Sequence, residues 1–226
     1  LKYLYLEVDS KIYYNTNLAP SGEYVSTLVQ QNAENYAEST ELNRYGARFK
    51  YSKFLNIIDQ SQDSITSNIT TLMMRRDLRV SLNKFAEYSI GFGNQFYIKN
   101  MSGYNIKSSA FYVQGNNNPL YISDIPNTNR ETGNLFFFTV PSVNSTTPSI
   151  VKRNVGTIDY VNGIVTLNPV NVLSGKIKDG QTIIEIEACP YSNDVIGLQD
   201  LYLQLDISNS TFETVVDEVS SGLDPS

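Results

Sequence analysis

The chain has 226 residues, a formal net charge of −6 at pH 7, one cysteine and no histidine. The absence of histidine excludes Ser-His-Asp and Cys-His catalysis and removes the commonest ligand of zinc. A single cysteine excludes an intrachain disulfide framework, and the apolar runs are far shorter than the ~20 residues of a membrane-spanning helix. The length suffices for one large domain or two small ones. Because the chain begins with Leu1, we expect it to be part of a longer protein.

The first sixteen residues predict a β-hairpin. Leu4, Leu6 and Val8 alternate with polar and aromatic residues, and Asp9-Ser10 would supply the turn. A helix is predicted to follow, with Ser21 as its N-cap.

The predicted first helix carries an oblique apolar stripe, because its apolar residues recur in a four-residue step on a 3.6-residue helix. The stripe consists of Tyr24, Val25, Leu28, Val29, Ala33, Tyr36 and Ala37. A Tyr-rich stripe of this kind is more often core than interface, and its oblique course suits a crossing partner.

A second, shorter helix is predicted to begin at Ser52, with Phe54, Ile57 and Ile58 on one face. Residues 63–80 could also place their apolar side chains on one helical face. We predict a long, partly exposed strand there, because the intervening Ser, Thr and Asn side chains compete with helical hydrogen bonds.

From Phe85 onward the pattern is one of strands and turns. Residues 135–140 form a continuous apolar run, which is typical of a central strand covered on both faces. Residues 157–167 predict a hairpin in which Asn162-Gly163 supplies the positive φ angles of a tight turn. Further strands are predicted from alternation at 86–98, 104–112, 182–188 and 201–207.

The predicted fold class is therefore α+β and strand-rich. Residues 1–84 would form a hairpin and a helical assembly section that ends in a long strand. Residues 85–226 would form a mainly antiparallel β-rich domain.

Three motifs resemble catalytic or metal-binding sites, and each fails on inspection. Gly91-Phe92-Gly93 lacks the third glycine and the following helix of a dinucleotide site. Residues 59–63 begin like a calcium loop, but Ser64 stands at the glycine position and Thr70 at the glutamate position. Glu185 and Glu187 would lie roughly 7 Å apart on one strand face, which is more typical of a solvated face than of a glycosidase pair.

The sequence accordingly predicts no enzyme activity, no cofactor and no metal. Cys189 is interpreted as a small buried hydrophobic residue rather than a reactive thiol.

Charge is segregated along the chain. Residues 44–84 contain eight basic and three acidic residues, whereas residues 179–226 contain ten acidic residues and no basic one. We expect the two segments to face each other, within one chain or between neighbours, with Arg75 and Arg76 as the leading candidates. No motif for reading nucleic acid accompanies the basic segment, so we expect protein partners rather than nucleic acid or a membrane.

Residues 42–80 carry the most specific pattern in the chain. It runs Arg44-Tyr-Gly-Ala-Arg-Phe, Ser52-Lys-Phe, Ile57-Ile-Asp, Ser64-Ile-Thr-Ser-Asn-Ile and Arg75-Arg76. This order resembles the baseplate wedge proteins of T-even-type contractile-tail phages and, more distantly, the baseplate assembly proteins of other contractile tails. The resemblance is densest over about 40 residues and extends more weakly over the whole chain.

The resemblance implies a structural subunit of the virion tail baseplate, assembled in the host cytoplasm. Such a subunit would join copies of itself into a ring around the central hub and contact other baseplate wedge proteins. The stripe and the resemblance together suggest a set of interface residues: Tyr24, Leu28, Tyr36, Arg48, Phe54, Ile58, Arg75 and Arg76.

A second hypothesis is a β-sandwich module of a tail adhesin that binds a glycan receptor. The many tyrosines and the asparagine-rich loops fit it, because aromatic faces and amides suit sugar binding. This hypothesis explains the second half of the chain better than it explains the basic helical section.

Overall fold

The computed structural model describes residues 2–140, 147–198 and 200–223. The helices in these ranges are α1 (Gly22–Ala37) and α2 (Tyr51–Asp59), with a 3-10 turn at Ile207–Asn209. The strands are β1 (Tyr3–Tyr14), β2 (Arg48–Phe49), β3 (Ile65–Arg79), β4 (Phe85–Gly91), β5 (Ile106–Ser108), β6 (Tyr112–Val113), β7 (Tyr121–Pro126), β8 (Thr132–Thr139), β9 (Ser149–Asp159), β10 (Ile164–Ser174), β11 (Lys176–Lys178), β12 (Gln181–Ala188), β13 (Val195–Ile196), β14 (Tyr202–Leu205) and β15 (Thr211–Val216).

The chain forms two compact units. The first contains the residues up to Met73 and those from Asn193 onward, and the second is Met74–Ser192. Strands far outnumber helices and most strand pairs are antiparallel, so the predicted strand-rich α+β class is confirmed. The observed units differ from the predicted division at residue 84, because the C-terminal strands belong with the N-terminal ones.

A single long strand, β1, occupies the centre of the first unit. The predicted hairpin at Asp9-Ser10 is wrong, because the chain runs straight through both residues. Ser10 is fully buried, and its hydroxyl hydrogen-bonds that of Thr70 on β3 at 2.9 Å. Its polar group therefore has a partner inside the sheet, and the alternation continues to the buried Ile12.

The C-terminal strands flank β1 on the side away from β3. β14 pairs with the first part of β1 and β15 with the second part, both in parallel. Helix α1 covers β15, and the Ser26 hydroxyl donates to the Phe212 carbonyl at 2.8 Å. These parallel pairs join segments that are about 200 residues apart in the chain.

The two helices begin differently. Ser21 caps α1 as predicted, since its hydroxyl accepts from the backbone N–H of Tyr24 at 3.2 Å. Helix α2 begins one residue before the predicted cap Ser52, and its N-cap position is Lys50. The Asp194 carboxylate instead accepts from the Tyr51 backbone N–H at 2.9 Å and satisfies this helix end.

The predicted long strand is confirmed as β3. Its first five residues, 65–69, are exposed or half-buried, while residues 74–76 are all buried. The chain passes from the first unit to the second within this strand. In the second unit residues 74–79 pair antiparallel with β12, which also pairs with β5 and β11.

A second sheet in the same unit has the order β4-β10-β9-β8-β7, with β6 on β10. The predicted central strand is β8, whose residues Leu135, Phe136 and Phe137 are buried between β7 and β9. The strand predicted from alternation over residues 86–98 is shorter than expected and ends at Gly91.

β9 and β10 form the predicted hairpin, but its turn differs from the prediction. The loop has four residues, 160–163, and only Gly163 of the Asn162-Gly163 pair has a positive φ, of 64°. Asn162 instead donates its backbone N–H to the Asp159 carboxylate at 2.9 Å. A Cβ on Gly163 would lie 2.0 Å from the Asn94 carbonyl oxygen, so the turn requires glycine.

A buried carboxylate organises one end of the second unit. Asp124 on β7 is fully buried and accepts from the backbone N–H groups of Asn105 and Ile106, each at 2.8 Å. Its other oxygen accepts from the Asn105 amide at 2.9 Å and from the Tyr160 hydroxyl. Burial first, and the Asp124 charge second, raise the pKa of Tyr160 far above its ordinary value, so Tyr160 stays neutral and donates.

Candidate assembly surface

An aromatic cluster joins α1 to α2 in the first unit. The ring centroids of Tyr36, Phe49 and Phe54 lie 5.5–6.3 Å from one another, and Ile58 is fully buried as well. The predicted interface residues Tyr36, Phe54 and Ile58 are therefore part of the core. Because none of the three side chains is exposed, they stabilise the packing of α1 against α2.

The environment of Tyr36 favours its neutral form. Burial, followed by the charge of Glu41, raises the pKa of Tyr36 to about 12, and a backbone hydrogen bond from Lys50 opposes the shift. Lys53 lies 5.5 Å from the centre of the ring and forms an ion pair with Glu41. The cluster is thus bounded by charged side chains on its outer side.

Two of the predicted interface residues on α1 remain accessible. Tyr24 is 46% exposed, and Leu28, one turn later, is half-buried. Val25, Val29 and Ala33 line the buried side of the same helix. Tyr24 and Leu28 therefore form the accessible margin of the predicted stripe, and we call this pair the α1 margin.

Arg48 is the third accessible residue of the predicted set. Its guanidinium lies 3.6 Å from the Asp194 carboxylate, and both side chains are substantially exposed. An exposed pair of this kind contributes about 0–1 kcal/mol to stability. Asp194 also accepts from Tyr51, so Arg48 stands directly beside the start of α2.

Sequence reasoning missed a second exposed apolar group, around the β2–β13 pair. Tyr45, Ile196 and Leu198 are each between 43% and 49% exposed. The Tyr45 ring packs edge-on against Tyr202 at 5.3 Å between centroids. Local sequence patterns could not reveal this exposed apolar group, because the pairing of β2 with β13 joins residues almost 150 positions apart.

The two remaining predicted residues, Arg75 and Arg76, are buried in the second unit, at 4% and 8% exposure. Arg75 Nε lies 3.4 Å from Asp77 Oδ1 and 3.9 Å from Glu185 Oε1. Arg76 donates from Nη1 to the Gly91 carbonyl. Adjacent strand residues point to opposite faces, so the strand is covered on both faces here.

Two ion pairs join the basic segment to the acidic segment within the chain, and a role of these charges in assembly stays a prediction. Arg75 pairs with Glu185, and Arg48 pairs with Asp194. The suggestion that Arg75 or Arg76 reaches toward a partner is not supported by their burial, since both side chains are enclosed by their own unit.

Glu185 and Cys189, the acid and the thiol weighed for chemical roles, each contact neighbouring groups of the chain. Glu185 accepts from Lys176 at 2.7 Å, and its strand neighbour opposite is Asp77. Burial raises the pKa of the half-buried Cys189 thiol, an effect that the Lys99 charge opposes. In residues 2–140, 147–198 and 200–223, no three acidic or cysteine side chains are grouped so that they could hold a metal ion. Nor is any helix in these ranges long and apolar enough to cross a membrane.

Exposed aromatic and aliphatic side chains lie on a strand-rich scaffold, and several charged side chains form ion pairs within the chain. Residues 2–77 match the family described as baseplate structural protein gp6, C-terminal domain III. The match spans β1, α1, β2, α2 and most of β3, about a third of the chain.

The predicted resemblance to baseplate wedge proteins of T4-type contractile phages is therefore confirmed by the match over this region. The chain is accordingly a structural component of the virion tail baseplate. A search of curated proteins finds no match to the chain.

Proposed function

We propose that this chain is a ring-building subunit of the baseplate, which associates with copies of itself and with other baseplate proteins around the central hub. The observation that carries the proposal is the gp6-family match over residues 2–77, which contain the accessible α1 margin. The role proposed is structural, without catalysis.

The chemistry of the α1 margin supports an interface role. Tyrosine is enriched among the residues that dominate binding energy, since it offers a large apolar face and a hydroxyl. Leu28 lies one turn away on the same side of α1 and would extend the apolar contact.

Sedimentation velocity over a concentration series tests the proposal. We expect the wild-type chain to associate, and Tyr24→Lys and Leu28→Lys each to shift association to about tenfold higher concentration or more. The matched control is Ile69→Lys, which places the same charge on an apolar side chain of the first unit that is 60% exposed on β3.

The control variant should associate like the wild type. A chain that stays monomeric at high micromolar concentration, or variants of Tyr24 and Leu28 that associate normally, would refute self-association through α1. Contacts with other baseplate proteins would be tested separately, by co-purification of the same variants with those proteins.

A further inference from the structure

A cleft opens in the second unit where β9 and β10 separate. The two strands pair only from Asp159–Ile164 to Gly156–Leu167. Beyond that point the register of β9 against β8 shifts after Leu135, and the register of β10 against β4 shifts after Leu167. Such irregularities bend a strand locally, so β9 and β10 diverge and leave a cleft of about 310 Å³.

The polar lining of this cleft is chemically uniform. Five carboxamides line it, together with the amine of Lys152, and no carboxylate is among the lining side chains in the described residues. The carboxamides are Gln114, Asn116, Asn154, Asn168 and Asn171. Each can both donate and accept hydrogen bonds, as a sugar hydroxyl does.

The apolar lining adds a floor and a rim. Leu120 and Phe137 are buried and lie at the floor, whereas Phe85 is 72% exposed. Phe85 stands opposite Asn171 in the pairing of β4 with β10. An aromatic ring held beside an amide offers a flat apolar surface next to a polar group.

One amide oxygen of the cleft has unused hydrogen-bonding capacity. Asn171 Nδ2 donates to Gln114 Oε1 at 2.8 Å, but Asn171 Oδ1 is buried and accepts from no group in the described residues. Buried acceptors are nearly always satisfied in folded proteins. A donor that enters the cleft would satisfy this oxygen, and a hydroxyl group is such a donor.

We propose that this cleft binds a neutral carbohydrate. Hydroxyl groups would exchange hydrogen bonds with the carboxamides, and the C–H face of a sugar ring would pack on Phe85. The lack of a lining carboxylate argues against a cation, and one lysine among five amides provides little selection for an anion. The volume lies at the lower end of the range for small-molecule sites, which suits one or two sugar rings.

The first experiment applies the labelled chain to an array of oligosaccharides that contain hexoses, N-acetylhexosamines or uronic acids. We expect binding to neutral members. Saturation-transfer NMR titration with the strongest neutral binder then compares the wild type with Phe85→Ala and Asn171→Ala. The loss of ring packing should weaken binding about three- to tenfold in Phe85→Ala.

The matched control is Ile177→Ala, since Ile177 is 74% exposed on β11 in the same unit and does not line the cleft. Its affinity should equal that of the wild type. Circular dichroism confirms that each variant is folded, and Phe85 is too exposed for its truncation to unfold the unit.

Three results would overturn the proposal: no binding to the array, binding restricted to acidic members, or undiminished binding in both cleft variants. If Phe85→Ala instead abolished association with a baseplate protein and no sugar bound, the cleft would be a protein contact.

Discussion

Replacing Asp124 with alanine should strongly destabilise the second unit, because this fully buried carboxylate joins several of its segments. The carboxylate accepts two backbone N–H groups, the Asn105 amide and the Tyr160 hydroxyl inside the protein. Alanine would leave these donors without their acceptor, and removing one partner of a buried charged network costs about 3–5 kcal/mol.

One further variant measures the contribution of a single hydrogen bond to this loss of stability, and a second serves as the control. Tyr160→Phe removes only the hydroxyl donor and should cost about 1–2 kcal/mol. Glu131→Ala, which truncates an exposed acid in the same unit, should change the free energy of unfolding by no more than about 0.5 kcal/mol.

The assay combines thermal and guanidinium unfolding, both followed by circular dichroism, with amide hydrogen exchange. For 3–5 kcal/mol the thermal midpoint should fall by roughly 6–20 °C. Exchange should accelerate at the Asn105 and Ile106 amides, because these lose their acceptor. An Asp124→Ala protein within about 1 kcal/mol of the wild type, with unchanged exchange at these amides, would refute the reasoning.

Three other predictions concern Tyr36, the buried arginine and metal dependence. Because the pKa of Tyr36 is raised from 10 to about 12, its neutral form stabilises the fold fully below pH 10, and this contribution, about 2–3 kcal/mol at most, is lost between pH 10 and 12. Tyr36→Phe should therefore lose less stability than the wild type over that range in alkaline unfolding titrations, and parallel curves would contradict this. Arg75→Glu should destabilise the chain by about 3–5 kcal/mol in guanidinium unfolding, since it reverses a buried charge beside Glu185, whereas Arg79→Glu on the exposed end of β3 should have little effect. EDTA should leave the thermal midpoint unchanged, and a chelator-sensitive midpoint would reveal an essential metal.

Local chemistry was sufficient to predict several elements. Ser21 begins a helix because its hydroxyl satisfies an N–H of the first turn, and β3 is a strand because its Ser, Thr and Asn residues disfavour a helix. The apolar run at 135–140 lies in a central strand for the predicted reason.

The predictions that were wrong concern residues whose hydrogen-bond partners are remote in sequence. Asp9-Ser10 looks like a turn until Thr70 supplies a partner for the Ser10 hydroxyl, and Ser52 looks like a cap until Asp194 takes that role. No local pattern indicates that β14 and β15 pair in parallel with β1.

The candidate surface was predicted only in part for the same reason. Apolar periodicity identified the stripe on α1 but could not separate the accessible Tyr24 from the buried Tyr36. Charge suggested exposed positions for Arg75 and Arg76, whereas remote carboxylate and carbonyl partners allow both to be buried.

The parallel pairing of β14 and β15 with β1 has a consequence for synthesis on the ribosome. The 119 residues of Met74–Ser192 must be made before the strands that complete the first unit emerge. At the usual rates of translation this takes about 6–24 s. During that time one edge of β1 lacks its final partners, and unpaired edges recruit other chains. The second unit, which is continuous in sequence, can fold during this interval, so the domain that carries the family match is the last part of the chain to be completed.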